Sequence, residues 1–207
     1  MNKPYVINIG RQLGSGGRLV GKHLSEQLHI AYYDKEILNL AAQESGFCAE
    51  IFQQSDERKG FFQTVLNTIT PLVGNTTGDF YSNQMSDENL FRLQSEAIRK
   101  AAGEQSCIFI GRCADYVLRN HPRCLNVFIS ANRDDRIRRI CENTGETEAA
   151  AARIIEQGDR HRAEYYNFYS SCKWGAAATY HLCINTSVIS IEETVAIIRR
   201  QAEKMFF

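Results

Sequence analysis

The sequence predicts an α/β domain of three layers, in which helices cover both faces of a parallel sheet. Two observations lead to this fold class. Short apolar runs alternate along the chain with longer segments whose apolar residues recur at helical spacing. The runs are apolar at almost every position, which is typical of parallel strands that are buried on both faces.

The predicted strands are short runs rich in aliphatic and aromatic residues. The first run, Tyr5-Val6-Ile7-Asn8-Ile9, leads into a glycine-rich turn, and the second ends at Asp34. The predicted strands cover residues 5–9, 31–33, 107–110, 125–129 and 180–184.

The segments between these strands have the spacing of amphipathic helices. Predicted helices cover residues 17–28, 87–102, 133–143, 147–170 and 190–204, and one more helix separates the third and fourth strands. Ser190 precedes Ile191-Glu192-Glu193, which matches a capping box at the start of the last helix. Residues 46–86 interrupt the alternation, and such an insertion in a compact α/β domain is often a lid or a substrate-binding element.

The composition limits the classes of partner. The 207 residues include 24 basic and 24 acidic side chains, so the formal net charge is zero and offers no general attraction for nucleic acid or an anionic membrane. We expect neither partner. The sequence shows no apolar h-region near Met1 and no apolar run of the ~18 residues that a membrane helix needs, so we expect a cytoplasmic protein. The seven cysteines show no Cys-x-x-Cys pair, and we expect reduced, mostly buried thiols.

A glycine-rich stretch from Gly10 to Arg18 connects the first strand to the first helix. A strand that turns through glycines into a helix gathers backbone N–H groups around one point, which suits a phosphate. The standard phosphate-binding loop (P-loop) ends in Gly-Lys-Ser/Thr, where the lysine reaches the β- and γ-phosphates and the hydroxyl holds Mg²⁺. This chain reads Gly14-Ser15-Gly16-Gly17-Arg18, with glycine at the lysine position. We therefore expect the loop to bind phosphate, with Arg18 supplying charge and Ser15 the one hydroxyl available to Mg²⁺.

Polar residues also follow the second and third strands. Open α/β sheets bind ligands beyond the carboxyl ends of their strands, and these ends carry Asp34 and Arg112. Arginine suits phosphate oxygens, and aspartate suits a bound cation. Asp34 is equally well placed to cap a helix beginning at Lys35, so capping and contact with a ligand or Mg²⁺ both stay open.

Two further helices carry arginines. In the first, Arg136 shares a face with Arg133 or Arg139, whereas Arg138 points elsewhere. For Arg138, a solvated, salt-bridged face and a contact with a ligand both stay open. In the second, Arg160 lies on one face, and a second face carries Arg162, Tyr165, Tyr166 and Tyr169. That second face suits a triphosphate and a stacked base, although tyrosines that merely cover the core would give the same pattern.

These motifs together resemble the cytidylate kinase-like group of P-loop nucleoside monophosphate kinases, over essentially the full chain. The matching positions are Gly14 to Arg18, Tyr33-Asp34-Lys35-Glu36, Gly111-Arg112, Arg133 to Arg139, the helix at 159–169, Trp174-Gly175 and Asn185-Thr186-Ser187. The resemblance implies a five-stranded parallel sheet flanked by helices. It further implies a core of residues 1–34, 87–144 and 176–207, an insertion for the nucleoside monophosphate at about 35–86, and a lid at about 145–175.

The resemblance also implies an activity, which is transfer of the ATP γ-phosphoryl group to a nucleoside monophosphate, with CMP or dCMP as first candidates. ATP and Mg²⁺ are the implied cofactors, and the protein would be a monomer or a homodimer. The implied catalytic residues are Arg18, Arg112, Arg160 and Arg162. Implied ATP contacts are Gly14, Ser15, Gly16, Gly17, Arg18 and Arg136, implied substrate contacts are Asp34, Arg112, Tyr165 and Tyr166, and implied Mg²⁺ ligands are Ser15 and Asp34.

The chain departs from cytidylate kinases at two motifs. Those enzymes read Gly-Ser-Gly-Lys-Gly-Thr in the loop, where this chain has Gly17 for the lysine and Leu19 for the threonine, and this chain lacks the Thr-Gly-Ala that follows their strand-two aspartate. Another small metabolite therefore stays open as the phosphate acceptor. So does a nucleotide-binding regulatory protein that has lost catalysis. A nucleic-acid-binding module is the third hypothesis, since Arg-Tyr helices can stack bases, but the neutral charge argues against it.

Overall fold

A computed structural model gives the architecture of the protein and describes residues 3–35, 38 and 87–207. The predicted insertion at residues 35–86 lies almost entirely outside these residues. In chain order the described elements are β1 (Val6–Arg11), α1 (Gly17–Leu28), β2 (Ala31–Tyr33), α2 (Asp87–Glu104), β3 (Cys107–Ile110), α3 (Ala114–Val117), β4 (Cys124–Ser130), α4 (Arg133–Thr144), α5 (Glu148–Ser170), a 3₁₀ turn (Ala177–Thr179), β5 (Leu182–Asn185) and α6 (Ile191–Phe206).

The five strands form one parallel sheet in the order β2-β3-β1-β4-β5. The central strand is β1, which pairs with β3 on one side, where Asn8 lies opposite Phe109, and with β4 on the other, where Asn8 lies opposite Asn126. The chain passes from one side of β1 to the other between β3 and β4. Ligands of open α/β sheets bind at such a switch point, beyond the carboxyl ends of the strands.

The main core lies between the sheet and the helices α1 and α6. Side chains from the strands pack with Val20 and Leu24 of α1 and with Val195 and Ile198 of α6, all of which are buried. Apolar burial of this kind is the main force that holds helices onto a sheet. The α/β fold class and the parallel sheet predicted from the sequence are thereby confirmed.

A second apolar cluster joins α4 to α5. It consists of the buried residues Ile137, Ala151 and Ile155, with Leu13 of the glycine-rich loop packed against them. Gly158 lies beside Leu13, because a Cβ at Gly158 would come within 2.7 Å of the Leu13 Cδ2 atom. The first half of α5 is therefore attached to the loop by apolar contact.

Helix ends agree with their sequence signals. The Ser190 hydroxyl accepts a hydrogen bond from the Glu193 N–H at 3.1 Å, and Thr147 caps α5 through the N–H of Ala150 at 3.3 Å. Such caps satisfy N–H groups that have no partner inside the helix. Among the described residues, no helix combines the length and apolar character that crossing a membrane requires.

The chain divides into two compact units, residues 1–37 with 98–207, and residues 38–97. Within the second unit, the described segment 87–97 is the first part of α2. There the Ser95 hydroxyl donates to the Phe91 carbonyl at 2.7 Å, and Arg92 pairs with Glu96 at 3.3 Å. The lid predicted at residues 145–175 belongs to the first unit and stays a prediction.

Candidate phosphate-binding site

The glycine-rich loop runs from the end of β1 to the start of α1. Gly14 and Gly16 have φ angles of 76° and 79°, a left-handed conformation that favours glycine. The surroundings of both glycines also leave no room for a side chain. A Cβ at Gly14 would lie 2.9 Å from the Arg136 carbonyl oxygen, and a Cβ at Gly16 would lie 2.5 Å from the Ile191 Cδ1 atom. The loop therefore lies in close contact with α4 and α6.

Two side chains donate hydrogen bonds to the Gly14 and Ser15 carbonyl groups of the loop. Arg139 donates to the Gly14 carbonyl at 3.3 Å, and the Thr186 hydroxyl donates to the Ser15 carbonyl at 2.7 Å. Arg139 also donates to the Thr186 hydroxyl at 3.0 Å, which fixes both donors. Within the described part of the chain, the N–H groups of Gly14, Gly16 and Gly17 have no acceptor. The loop thus presents unpaired donors at a helix N-terminus, as an anion site requires.

Asp159 of α5 holds the first part of the loop. Its carboxylate accepts the Leu13 N–H at 2.8 Å and is paired with the Arg136 guanidinium, whose Nε donates to the Leu13 carbonyl at 2.7 Å. Arg136 is only 6% exposed. Its contacts are those of a residue that positions the loop, and the direct contact with ATP stays a prediction.

The two predicted Mg²⁺ ligands differ in their surroundings. Ser15 is fully buried and its hydroxyl donates to the Gln12 carbonyl at 2.8 Å, which closes the turn. The Asp34 carboxylate is 2.6 Å from the Arg18 guanidinium. No cluster of three His, Cys, Asp or Glu able to hold a metal occurs in the described ranges, but Mg²⁺ bound with phosphates commonly takes only one or two carboxylates from the protein. Asp34 fits that donor set. The alternative that Asp34 caps a helix beginning at Lys35 involves residues 36 and 37, which lie outside the described residues.

Three arginines, which we call the arginine cluster, converge beside the loop. They are Arg11 at the end of β1, Arg112 after β3, and Arg162 on α5. Burial, then the positive charges of Arg162 and Arg112, lower the pKa of Arg11 to about 10. Burial also lowers the pKa of Arg162, against the opposite effect of Asp159, and Arg112 adds to the lowering. The contacts agree with these directions: the Arg11 guanidinium lies against Gly111, the neighbour of Arg112, and the Arg162 guanidinium lies 3.5 Å from Asp159, which holds the loop.

Arg112 is part of a turn with a strained backbone. Gly111, Arg112 and Cys113 have φ angles of 72°, 58° and 54°, and the Ala114 N–H donates to the Gly111 carbonyl at 3.2 Å. This pattern is that of a type I′ turn, and each non-glycine residue in the left-handed region costs roughly 1–2 kcal/mol. The Arg112 guanidinium lies 4.8 Å from the centroid of the Tyr165 ring. Strain of this kind accumulates at functional sites, where it fixes the direction of a side chain.

The structure brings some predicted residues together and separates others. Arg112 lies against the Tyr165 ring, and Arg162 lies beside Asp159, which holds the loop. Tyr166 is buried instead, with its hydroxyl donating to the Asp115 carboxylate at 2.6 Å, so its contacts are those of a core residue. Arg160 is exposed and has no ion pair or hydrogen bond with any described residue. The substrate contact of Tyr166 and the catalytic role of Arg160 stay predictions.

Arg11 is the member of the cluster that sequence reasoning missed. It is the last residue of β1 and stands inside the glycine-rich stretch, so the rule that selected Arg112 at the end of β3 applies equally to it.

The parallel sheet, the glycine loop between β1 and α1 and the arginines at the strand ends define a P-loop kinase fold. Solved structures of kinases share this fold. The gluconokinase from Sinorhizobium meliloti is 12% identical, with a TM-score of 0.55 over 100% of this chain and 98% of that chain. The shikimate kinase from Bacteroides thetaiotaomicron is 15% identical, with a TM-score of 0.52 over 96% and 98%.

The chain belongs to the cytidylate kinase-like family, whose model matches residues 6–188. An uncharacterised protein from Eubacterium ventriosum is similar to it at 27% identity, with a TM-score of 0.73 over 96% of this chain and 98% of that chain. No curated protein matches the chain. The family and the fold support a phosphotransferase that acts with a nucleotide.

Proposed function

We propose that this protein transfers the γ-phosphoryl group of ATP to a nucleoside monophosphate, with CMP and dCMP as the first acceptors to test. One observation carries the proposal: Arg11, Arg112 and Arg162 lie beside a glycine loop in which the N–H groups of Gly14, Gly16 and Gly17 have no acceptor among the described residues. Phosphoryl transfer depends on positioning and on neutralising negative charge rather than on a covalent nucleophile. Such an arrangement of cations and N–H donors suits that need.

Each residue has a proposed task. The N–H groups of Gly14, Gly16 and Gly17 bind the phosphates of ATP, and Ser15 keeps the loop in its conformation through Gln12. Arg112 and Arg162 neutralise charge on the group being transferred, since guanidinium groups pair well with phosphate oxygens. Mg²⁺ bound to ATP bridges phosphate oxygens and offsets their charge, and Asp34 is its proposed protein ligand.

The acceptor is proposed to bind beside Arg112 and Tyr165. The ring of Tyr165 supports the guanidinium of Arg112 at 4.8 Å, and the type I′ turn fixes the backbone beneath it. A guanidinium held in this way loses little conformational freedom when it binds a phosphate. Arg18, paired with Asp34, is proposed to stand between this acceptor and the loop.

An assay of ADP release tests the proposal. Wild-type protein is mixed with ATP and Mg²⁺ and with each of a panel of nucleoside monophosphates and small hydroxylated metabolites, and the rate without acceptor is subtracted. We expect turnover with at least one monophosphate. Arg112→Gln should lower kcat/KM by about 10- to 150-fold, the equivalent of one charged hydrogen bond.

Arg138→Gln is the matched control. Arg138 pairs with Asp135 on the outer side of α4, its side chain is 64% exposed, and the variant should keep the wild-type rate. Intact ATP binding without turnover on any acceptor would contradict the proposal.

A second function, that of a nucleotide-binding regulatory protein, is favoured by one observation. Gly17 and Leu19 occupy the positions at which the cytidylate kinase loop Gly-Ser-Gly-Lys-Gly-Thr has its lysine and its threonine, and Leu19 is 46% exposed. This function predicts that ATP raises the melting temperature, because a ligand that binds the folded state stabilises it, while no phosphate is transferred. Turnover that is lost in Arg112→Gln would exclude it.

A further inference from the structure

The side chain of Arg11 lies in a slot between two glycines. A Cβ at Gly17 would lie 2.6 Å from the Arg11 Cβ and 3.1 Å from its Cγ. A Cβ at Gly111 would lie 2.1 Å from the Arg11 Nη1 and 3.2 Å from its Cζ. The Cβ and Cγ atoms of Arg11, which we call its stem, therefore pack against Gly17, the first residue of α1. Its guanidinium lies against Gly111, the first residue after β3.

The charges around Arg11 are positive. Burial lowers the pKa of Arg11 most, and the cations Arg162, Arg112 and Arg18 lower it further, to about 10. Arg11 is still protonated at neutral pH. Across residues 3–35, 38 and 87–207, no carboxylate and no hydrogen-bond acceptor pairs with its guanidinium. A partly desolvated charge without a partner lowers stability, so its surroundings suit an anion that comes from outside the chain.

Arg18, the residue that sequence reasoning chose to supply the charge of the loop, has a different environment. Its guanidinium pairs with the Asp34 carboxylate at 2.6 Å, and its side chain is 67% exposed. Part of its charge is therefore already compensated within the protein. Arg11 lies deeper and has no such carboxylate among the described residues.

The position of Arg11 relates it directly to the missing lysine. In a standard P-loop, the lysine side chain that reaches the β- and γ-phosphates leaves the position that Gly17 occupies here. The first atom of any side chain at that position would collide with the stem of Arg11, at 2.6 Å. The side chain of Arg11, which comes from the end of β1, thus occupies the space that a side chain at position 17, at the start of α1, would occupy.

We propose that Arg11 replaces the P-loop lysine and binds the β- and γ-phosphates of the nucleoside triphosphate. This assignment rests on the proposed function, because it assumes that the loop binds a nucleotide. A guanidinium supplies paired donors to phosphate oxygens where an ammonium supplies a point charge, so Arg11 can contact two phosphate oxygens at once.

Calorimetric titration of the full chain with ATP, ADP and AMP tests the assignment. Arg11→Gln should weaken ATP and ADP binding by at least about tenfold and leave AMP binding within about threefold, since only the first two ligands carry a β-phosphate. Arg18→Gln should weaken ATP binding less than Arg11→Gln does. Arg138→Gln is the matched control and should bind all three ligands like the wild type.

Thermal unfolding without ligand gives a second measurement. Arg11→Gln removes an uncompensated cation from a positive region, so at low salt its melting temperature should equal or exceed that of the wild type. A residue with a purely structural role would lower it. If Arg11→Gln does not fold, Arg11→Lys decides, and ATP affinity within about tenfold of the wild type supports the assignment.

Three results would overturn the assignment. ATP affinity of Arg11→Gln within about threefold of the wild type would show that the charge is not used. An equal loss for ATP and AMP, in Arg11→Gln or in Arg11→Lys, would show a general disturbance of the site. Failure of the wild-type protein to bind ATP at all would refute the proposed function and this assignment with it, whereas the first two results leave the proposed function standing.

Discussion

Replacing Asp159 should be among the most damaging single changes in the loop region. Its carboxylate accepts the Leu13 N–H at 2.8 Å, is paired with Arg136, and lies 3.5 Å from the Arg162 guanidinium. The side chains of Arg136 and Asp159 are only 7% and 17% exposed. Asp159→Ala would therefore leave the buried cation of Arg136 and the partly buried cation of Arg162 without a carboxylate, and it would also remove one hydrogen bond to the loop.

The magnitude follows from that burial. Breaking a buried ion pair by removing one partner typically costs about 3–5 kcal/mol, and the partial exposure of Asp159 places this case near the lower end. We expect a loss of about 3 kcal/mol in the free energy of unfolding, or about 6–12 °C in Tm for a chain of this size. Urea denaturation followed by the fluorescence of the single tryptophan, Trp174, measures it.

The chain contains its own control for this experiment. Arg133 and Glu156 form an ion pair at 3.1 Å between the same two helices, but their side chains are 59% and 63% exposed. Exposed pairs contribute about 0.2–1 kcal/mol, so Glu156→Ala should cost less than about 1 kcal/mol. Equal losses in Asp159→Ala and Glu156→Ala would refute the argument that burial sets the contribution of Asp159.

Three further changes have defined outcomes. Tyr166→Phe removes the donor to the Asp115 carboxylate, and calorimetric unfolding should show a loss of about 1–3 kcal/mol. Burial raises the pKa of Asp115 above its ordinary 3.8, so the folded state holds that proton longer than the unfolded chain does. The free energy of unfolding should therefore fall as pH rises from about 4 through the raised pKa, and Asp115→Asn should lack this fall. Gly17→Ala should destabilise the fold by about 1–3 kcal/mol through collision with Arg11, whereas Gly103→Ala on α2, where a Cβ meets nothing within 4 Å, should be neutral or stabilise it in the same assay.

Local patterns predict most of the secondary structure of the described residues. The strands at 31–33 and 107–110 and the start of α1 at Gly17 agree with the structure, because apolar runs and glycine-rich turns are properties of neighbouring residues. The helix faces of α4 also agree, since Arg136 and Arg139 both contact the loop while Arg138 faces outward. The strand at 180–184 was placed two residues early, because the 3₁₀ turn before β5 ends in Tyr180, a buried aromatic residue that reads like part of a strand.

The partners of the charged residues could not be predicted in the same way. The pairing of Arg18 with Asp34 and the contact of Asp159 with Leu13 join residues that are distant in the sequence. Only the packed fold decides which carboxylate reaches which cation. The proposed role of Arg11 depends on a close approach between β1, α1 and β3, and helical or strand periodicity contains no information about such an approach.

The contact between Arg11 and Gly17 also limits the routes by which this loop can evolve. A mutation that introduced lysine at position 17 would collide with the side chain of Arg11, and loss of Arg11 by itself would remove the cation that is proposed to replace the lysine. Each single step is thus expected to be harmful although the double change restores one cation, which is reciprocal sign epistasis. The two positions are expected to change together or to stay as they are, so this variant of the loop is expected to persist in its lineage once it has arisen.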